Sequence, residues 1–225
     1  MFLHDARRWS GACLVLLLAG CVSDQASNGA GSGELGRGSL YVNCDANDAA
    51  CDASIQRLAE GTPIAVGASL TMSYEGHVPN APTGEPTTMV LFSASPPMLS
   101  GDATEFVAWL PGRVAVIART QEGTVTDFVH LALEAVSDIQ VASDAGDVLL
   151  VGEQGVWSAI PRSEDGRVLG GQLGYAWEVE GTAVELIEQT NRSATITARE
   201  PGSAILRART GDVVGESTVV VEEAP

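Results

Sequence analysis

A stretch of 17 residues occurs twice in this chain of 225, and that repeat limits the fold more than any other feature. Residues 104–120 (TEFVAWLPGRVAVIART) align with residues 194–210 (ATITAREPGSAILRART) at a constant offset of 90, without a gap. Six positions are identical, Ala108 with Ala198, Pro111 with Pro201, Gly112 with Gly202, Ala118 with Ala208, Arg119 with Arg209 and Thr120 with Thr210, where random pairing gives about one. Each copy reads as a strand, a Pro-Gly turn and a second strand with small or branched apolar residues at alternate positions, which predicts a β-hairpin. The expected fold class is therefore all-β, with two tandem sandwiches.

The second copy lies in the clearer module. Seven short strands are expected near residues 148–151, 155–160, 174–178, 184–188, 193–198, 204–209 and 216–221, separated by turn signals such as Asp165-Gly166, Gly170-Gly171, Pro201-Gly202 and Gly211-Asp212. Seven short strands at this spacing point to a two-sheet sandwich. The succession Val151-Gly152, Asp165-Gly166, Trp177, Pro201-Gly202 and a final Val run resembles the bacterial Ig-like domains of group 2, over residues 147–223. The resemblance implies an Ig-like sandwich there. It weakens over residues 63–135, where no Trp stands opposite Trp177, so the first module is expected to be a divergent relative. Trp177 shares a strand face with Tyr175 and Val179, which marks it as core.

The beginning of the chain carries a different message. Arg7 and Arg8 precede the apolar run ACLVLLLA, which is too short to span a bilayer and reads as an export signal over residues 1–20. The run closes on Leu18, Ala19, Gly20 and Cys21, which resembles the lipobox of bacterial lipoproteins. That resemblance implies cleavage before Cys21, lipidation of its sulfur and acylation of the new amine, hence a membrane partner through the N-terminal lipid. Val22, rather than Asp, follows the cysteine, and the resemblance then implies the outer membrane as address. Residues 23–37 are rich in Gly, Ser and Asn and read as a flexible tether. They contain a formal GxGxxG at Gly31, Gly33 and Gly36, with no strand before it and no helix after it, so it is compositional.

With Cys13 lost in the signal and Cys21 lipidated, Cys44 and Cys51 remain as a pair in an exported segment, and a disulfide is expected between them. The loop they close, CDANDAAC, is acidic but lacks the Gly and the terminal Glu of a calcium loop, so no metal is assigned to it. Residues 21–61 are thus expected to comprise anchor, tether and small disulfide loop, with a helical turn at 53–59. The first Ig-like module follows at 62–136 and the second at 137–225.

Trp109 and Leu110 lie beside the Pro-Gly turn of the first copy and form a candidate contact patch, or else cover the junction between the modules. The 29 acidic against 12 basic residues, a formal net charge of −17 with no basic cluster, argue against nucleic-acid partners. The histidines, His4, His77 and His130, have no metal spacing, and neither a nucleophile elbow nor a phosphate loop occurs. No catalytic residue and no cofactor is assigned. The function expected is that of a non-enzymatic envelope lipoprotein whose sandwiches contact an envelope or extracellular protein. The alternative is a polysaccharide-binding module, with Trp109 and Trp157 as the aromatics a sugar would stack on.

Overall fold

The computed structural model describes residues 33–44, 48–52, 54–76 and 90–224. The signal, Cys21 and its lipid, the tether up to residue 32, Asp45 and Asn47 of the acidic loop, and the proline-bearing loop with His77 lie outside the described residues. Among the described residues there is no helix, and the fold is all-β.

The first module contains β1 (Gly38–Asn43), β2 (Cys51–Asp52), β3 (Arg57–Leu58), β4 (Ile64–Ala65), β5 (Ser69–Gly76), β6 (Val90–Ser93), β7 (Leu99–Ala103), β8 (Glu105–Ala108), β9 (Gly112–Arg119) and β10 (Val125–Glu134). The second contains β11 (Asp138–Ala142), β12 (Val148–Leu150), β13 (Gln154–Arg162), β14 (Ala176–Glu180), β15 (Val184–Gln189), β16 (Ser193–Ala198), β17 (Gly202–Thr210) and β18 (Val213–Glu222). In the second module two four-stranded sheets, β11-β13-β16-β15 and β12-β18-β17-β14, face each other. Their inward positions, among them Trp157, Ile196, Trp177, Leu206 and Val219, form one buried cluster. This is the strand partition of an immunoglobulin sandwich, with the first strand split so that its second half, β12, pairs in parallel with the last strand.

The first module repeats that partition. The run β1-β5-β8-β7 corresponds to the first sheet and β4-β10-β9-β6 to the second, and β4 again pairs in parallel with the last strand, β10. Hydrogen bonding is continuous around the module only because β6 and β7 also pair, at Leu91 with Ala103 and Phe92 with Asp102. Leu40, Leu70, Met72 and Phe106 from one layer meet Leu91, Val114, Val116, Leu131 and Leu133 from the other in a single core.

Three expectations change. The repeated unit is not a hairpin: β8 pairs with β5 and β7, β9 with β6 and β10, and likewise β16 with β13 and β15, β17 with β14 and β18. The Pro-Gly turn carries the chain across the core from one sheet to the other, which lets Ala198 and Ala208, both inward-facing, bury against the same interior from opposite sides. Gly112 and Gly202 make that crossing at φ 141° and 150°, a backbone region closed to side chains with a Cβ. Second, the boundary expected at residue 62 lies earlier: β1 pairs with β5 over its whole length, from Gly38 with Gly76 to Asn43 with Thr71, so the segment assigned to the tether and loop supplies the module's first strand. Third, the helical turn expected at 53–59 is not found among the described residues 54–59: a turn at 54–56 leads into β3, which pairs with β1 and β2. Strands β7 and β11 were missed. In β11 the alternation of exposed and buried residues over DIQVA was the available signal.

Candidate functional site

The residues that stand out chemically gather where the two sandwiches meet. Only three residues, 135–137, separate β10 from β11, so the modules touch from the outset. The connection between β13 and β14 then leans back onto the first module. Ala65 N–H donates to Gly170 O at 2.9 Å, Gly170 N–H to Pro63 O at 2.8 Å, and Ser69 and Gln172 exchange backbone bonds of 3.0 and 2.8 Å. Residues 170–172 thereby act as a further strand segment beside β4 and β5, and Leu169 and Leu173 on either side are buried in the first module's core. Gly171 sits at φ +94°, and a Cβ there would come within 2.7 Å of the Ala68 Cβ. The close approach requires glycine.

The acidic loop closes this junction. Cys44 and Cys51 are disulfide-bonded, with Cα atoms 5.5 Å apart. Asp48 between them is buried, and its Oδ2 accepts the Gly171 N–H at 2.7 Å while Oδ1 accepts the Ala50 N–H at 2.9 Å. Arg192 of the second module donates to the Asp48 carbonyl at 3.3 Å. The carboxylate is thus held by backbone donors from both modules, a charge-assisted arrangement stronger than a neutral pair. Opening the loop by replacing both cysteines with serine is expected to cost about 2.5 kcal/mol, the loop-closure entropy of an eight-residue ring. Denaturant unfolding of the double variant checks this.

Tyr175 packs against both cores, and burial, foremost, raises its phenol well above the usual tyrosine value; the nearby Arg192 lowers it in part and Asp48 raises it further. A raised phenol means that the folded state keeps the proton after the unfolded chain has lost it. The stability linked to Tyr175 is therefore fully present below about pH 10 and is lost progressively as pH rises beyond that value. Unfolding midpoints measured from about pH 9 to pH 12 should fall more steeply for the wild type than for Tyr175→Phe; superimposable profiles would refute the linkage.

At the opposite end of the first module a bulge in β10, between Val125 and Asp127, turns a carboxylate inward. Asp127 is fully buried, and it accepts N–H bonds from Leu35 (2.8 Å), Arg37 (2.8 Å), Gly38 (3.0 Å) and Phe128 (2.8 Å). Glu34 adds a backbone bond to Phe128 O at 2.8 Å, and its carboxylate accepts from the His130 backbone N–H at 3.0 Å and lies 2.6 Å from His130 Nδ1. The tether therefore ends by residue 33. The segment from Gly33 to Gly38, which holds the second half of the formal glycine motif, wraps a carboxylate of the chain itself with the backbone donors of Leu35, Arg37 and Gly38.

The aromatic candidates separate sharply. Trp109 is 55% and Leu110 51% exposed, and the Trp109 indole N–H donates to Ser100 Oγ at 2.6 Å. The next residue, Pro111, lines an open groove between the modules with Glu134, Ser137 and, from the second module, Ser163, Asp165 and Arg167. Arg167 bridges the two modules through Glu134 at 2.6 Å. Trp177 is in the second core, and so is Trp157, at 0% exposure. Trp157 is thus corrected from a sugar platform to a core residue: it occupies an inward position of β13, opposite Ala194 of β16. Among the described residues no group of three or more His, Cys, Asp and Glu side chains is arranged to hold a metal ion.

No family model and no curated protein matches the chain. Among solved structures, domains 4 and 5 of the S-layer protein SbsC share 17% identity, covering 83% of this chain and 98% of that one at a TM-score of 0.32. Invasin, a bacterial integrin-binding protein, shares 12% identity over 75% of this chain and 42% of its own, TM-score 0.34. A complex of Dpr2 Ig1-Ig2 with DIP-Theta Ig1-Ig3 gives 10% identity over 72% and 61%, TM-score 0.31. Likeness at these scores carries no argument, so the fold rests on strand order. By the order and pairing of its strands, the chain is a tandem of two Ig-like β-sandwiches.

Proposed function

We propose that this chain is a non-enzymatic lipoprotein of the cell envelope, anchored in the outer membrane through Cys21, whose joined sandwiches form a scaffold for protein–protein contact. One observation supports the scaffold reading above the others. The modules are tied by backbone hydrogen bonds at Gly170 and Gln172 and by the buried Asp48, not by a flexible linker. Two sandwiches held in one geometry place a contact surface at a set distance and orientation, which a protein partner uses and a small diffusible ligand does not need. Anchoring is supported by the sequence alone, through the run ending in Leu18, Ala19, Gly20 and Cys21.

The polysaccharide alternative needs two exposed aromatic platforms, and with Trp157 in the core only Trp109 of the named pair is accessible. Fractionation of cells making the full chain tests the anchor: the wild type should enter the membrane fraction with a lipid mass on Cys21, and Cys21→Ala should not. An unmodified Cys21 thiol in the mature protein would overturn the lipoprotein reading. A glycan array probed with the detergent-solubilised full chain tests the alternative, and saturable sugar binding abolished by Trp109→Ala would decide for it.

A further inference from the structure

The second module serves as an internal control for the first. In its β14-β17-β18 sheet the middle row of the outer face is Glu178–Arg207–Glu216, in direct cross-strand register. Arg207 pairs with Glu216 at 2.6 Å and with Glu180, one row away, at 2.5 Å. That row is ionic and suited to water. The repeat offset of 90 places Ile117 where Arg207 stands. In the first module the same row of the β6-β9-β10 sheet reads Phe92–Ile117–Phe128, again in direct register. Alternation along β9, with Val114, Val116 and Ala118 buried, puts Arg113, Ala115, Ile117 and Arg119 on the outer face.

The apolar row is half-buried and flanked by Arg113, Arg119 and His130, the last already bonded to Glu34. Arg119 lies over the Phe92 ring at 4.3 Å, His130 meets Phe128 edge-on at 5.6 Å, and Arg113 stands in register with Ala132. Among the described residues neither Arg113 nor Arg119 makes an ion pair. Among the described residues Phe92, Ile117 and Phe128 belong to neither buried core, and the sister module carries salt bridges in their place.

We infer that the outer face of β6, β9 and β10, centred on Phe92, Ile117 and Phe128, is the docking surface for a protein partner with an apolar centre rimmed by carboxylates. The assignment deepens the scaffold reading and rests on it. Charge complementarity selects this occupant: Arg113 and Arg119 face outward from a molecule of net charge −17. A second copy meeting face to face would set these guanidinium groups against their own counterparts. A polysaccharide would find Phe rings half-buried in a row rather than an exposed platform.

The test is photo-crosslinking in intact cells, with benzoylphenylalanine in the full chain at outward-facing Ala115, at its counterpart Ile205 in the second module, or at Trp109. A row-exchange variant, Phe92→Glu with Ile117→Arg and Phe128→Glu, installs the ionic row that the second module already tolerates, and circular dichroism confirms that it folds. The expected result is an adduct from position 115, absent from 205, with one protein whose crosslinked surface is acidic, reduced at least about tenfold by the row exchange and by Arg113→Glu with Arg119→Glu. An adduct of twice the chain's mass, a sugar adduct, or an adduct unchanged by the row exchange would overturn the inference. Adducts from position 109 but not 115 would sink this face and leave the scaffold reading standing; none at any position would sink both.

Discussion

Replacing Trp157 by alanine is expected to lower the stability of the second module by about 3 to 5 kcal/mol, the range for truncating a buried aromatic. The side chain is fully enclosed, between Ala194 in its own sheet and the opposed layer of Leu206, Ala208 and Val219. Small residues surround it because the ring itself fills the space they leave. They cannot expand to refill it, so the cavity would persist. Trp157→Phe is expected to cost far less, about 1 to 2 kcal/mol, because among the described residues the indole N–H has no acceptor and its removal breaks no hydrogen bond. Trp177→Ala, on the facing sheet in register with Ala208, should fall in the same range as Trp157→Ala. Urea unfolding followed by far-ultraviolet dichroism measures all three. An alanine variant within error of wild type would mean that the core is not packed around these rings.

The second large effect is expected at Gly171. Substitution by alanine forces a residue with a Cβ to φ +94° and drives that Cβ to within 2.7 Å of Ala68, in the backbone bend that leads into β5. Left-handed strain contributes about 1 kcal/mol and overpacking about 1 to 3 kcal/mol, giving a loss near 3 kcal/mol. Relief comes by lifting the 169–173 segment away, which breaks the Asp48 bond to Gly171 and exposes Leu169 and Leu173. The wild type should therefore unfold in one transition and Gly171→Ala in two, with scattering profiles showing a broadened range of module orientations. A single unshifted transition in the variant would show that the modules are not coupled through this segment.

Much of the local structure could be read directly from the residues. The alternating runs around 114–119 and 204–209, the Pro-Gly turns and the Cys44–Cys51 pair depend on neighbours within a few positions, and the structure contains them. The β10 bulge falls between Val125 and Asp127, where the three-residue spacing of Val125, Phe128 and Leu131 departs from the two-residue alternation of a regular strand. The candidate site was far less legible. Asp48 is joined to Gly171 across 123 positions and Asp127 to Gly38 across 89, and neither one Asp among several in an acidic loop nor an Asp within a strand gives a hint of such a contact.

What the chain determined by itself, then, is that there are two modules, that both are β and, for strands such as β9 and β17, which side faces inward, because alternation and turn chemistry are short-range. Which strand lies beside which was decided only in three dimensions. The same alternating pattern satisfies a hairpin and a crossing between two sheets, and burying Ala198 and Ala208 from opposite sides of one core favours the crossing. Tertiary packing also drew β1 into the first sandwich, hid Trp157 while leaving Trp109 in water, and brought two equivalent rows, Glu178–Arg207–Glu216 and Phe92–Ile117–Phe128, into direct register on their sheets.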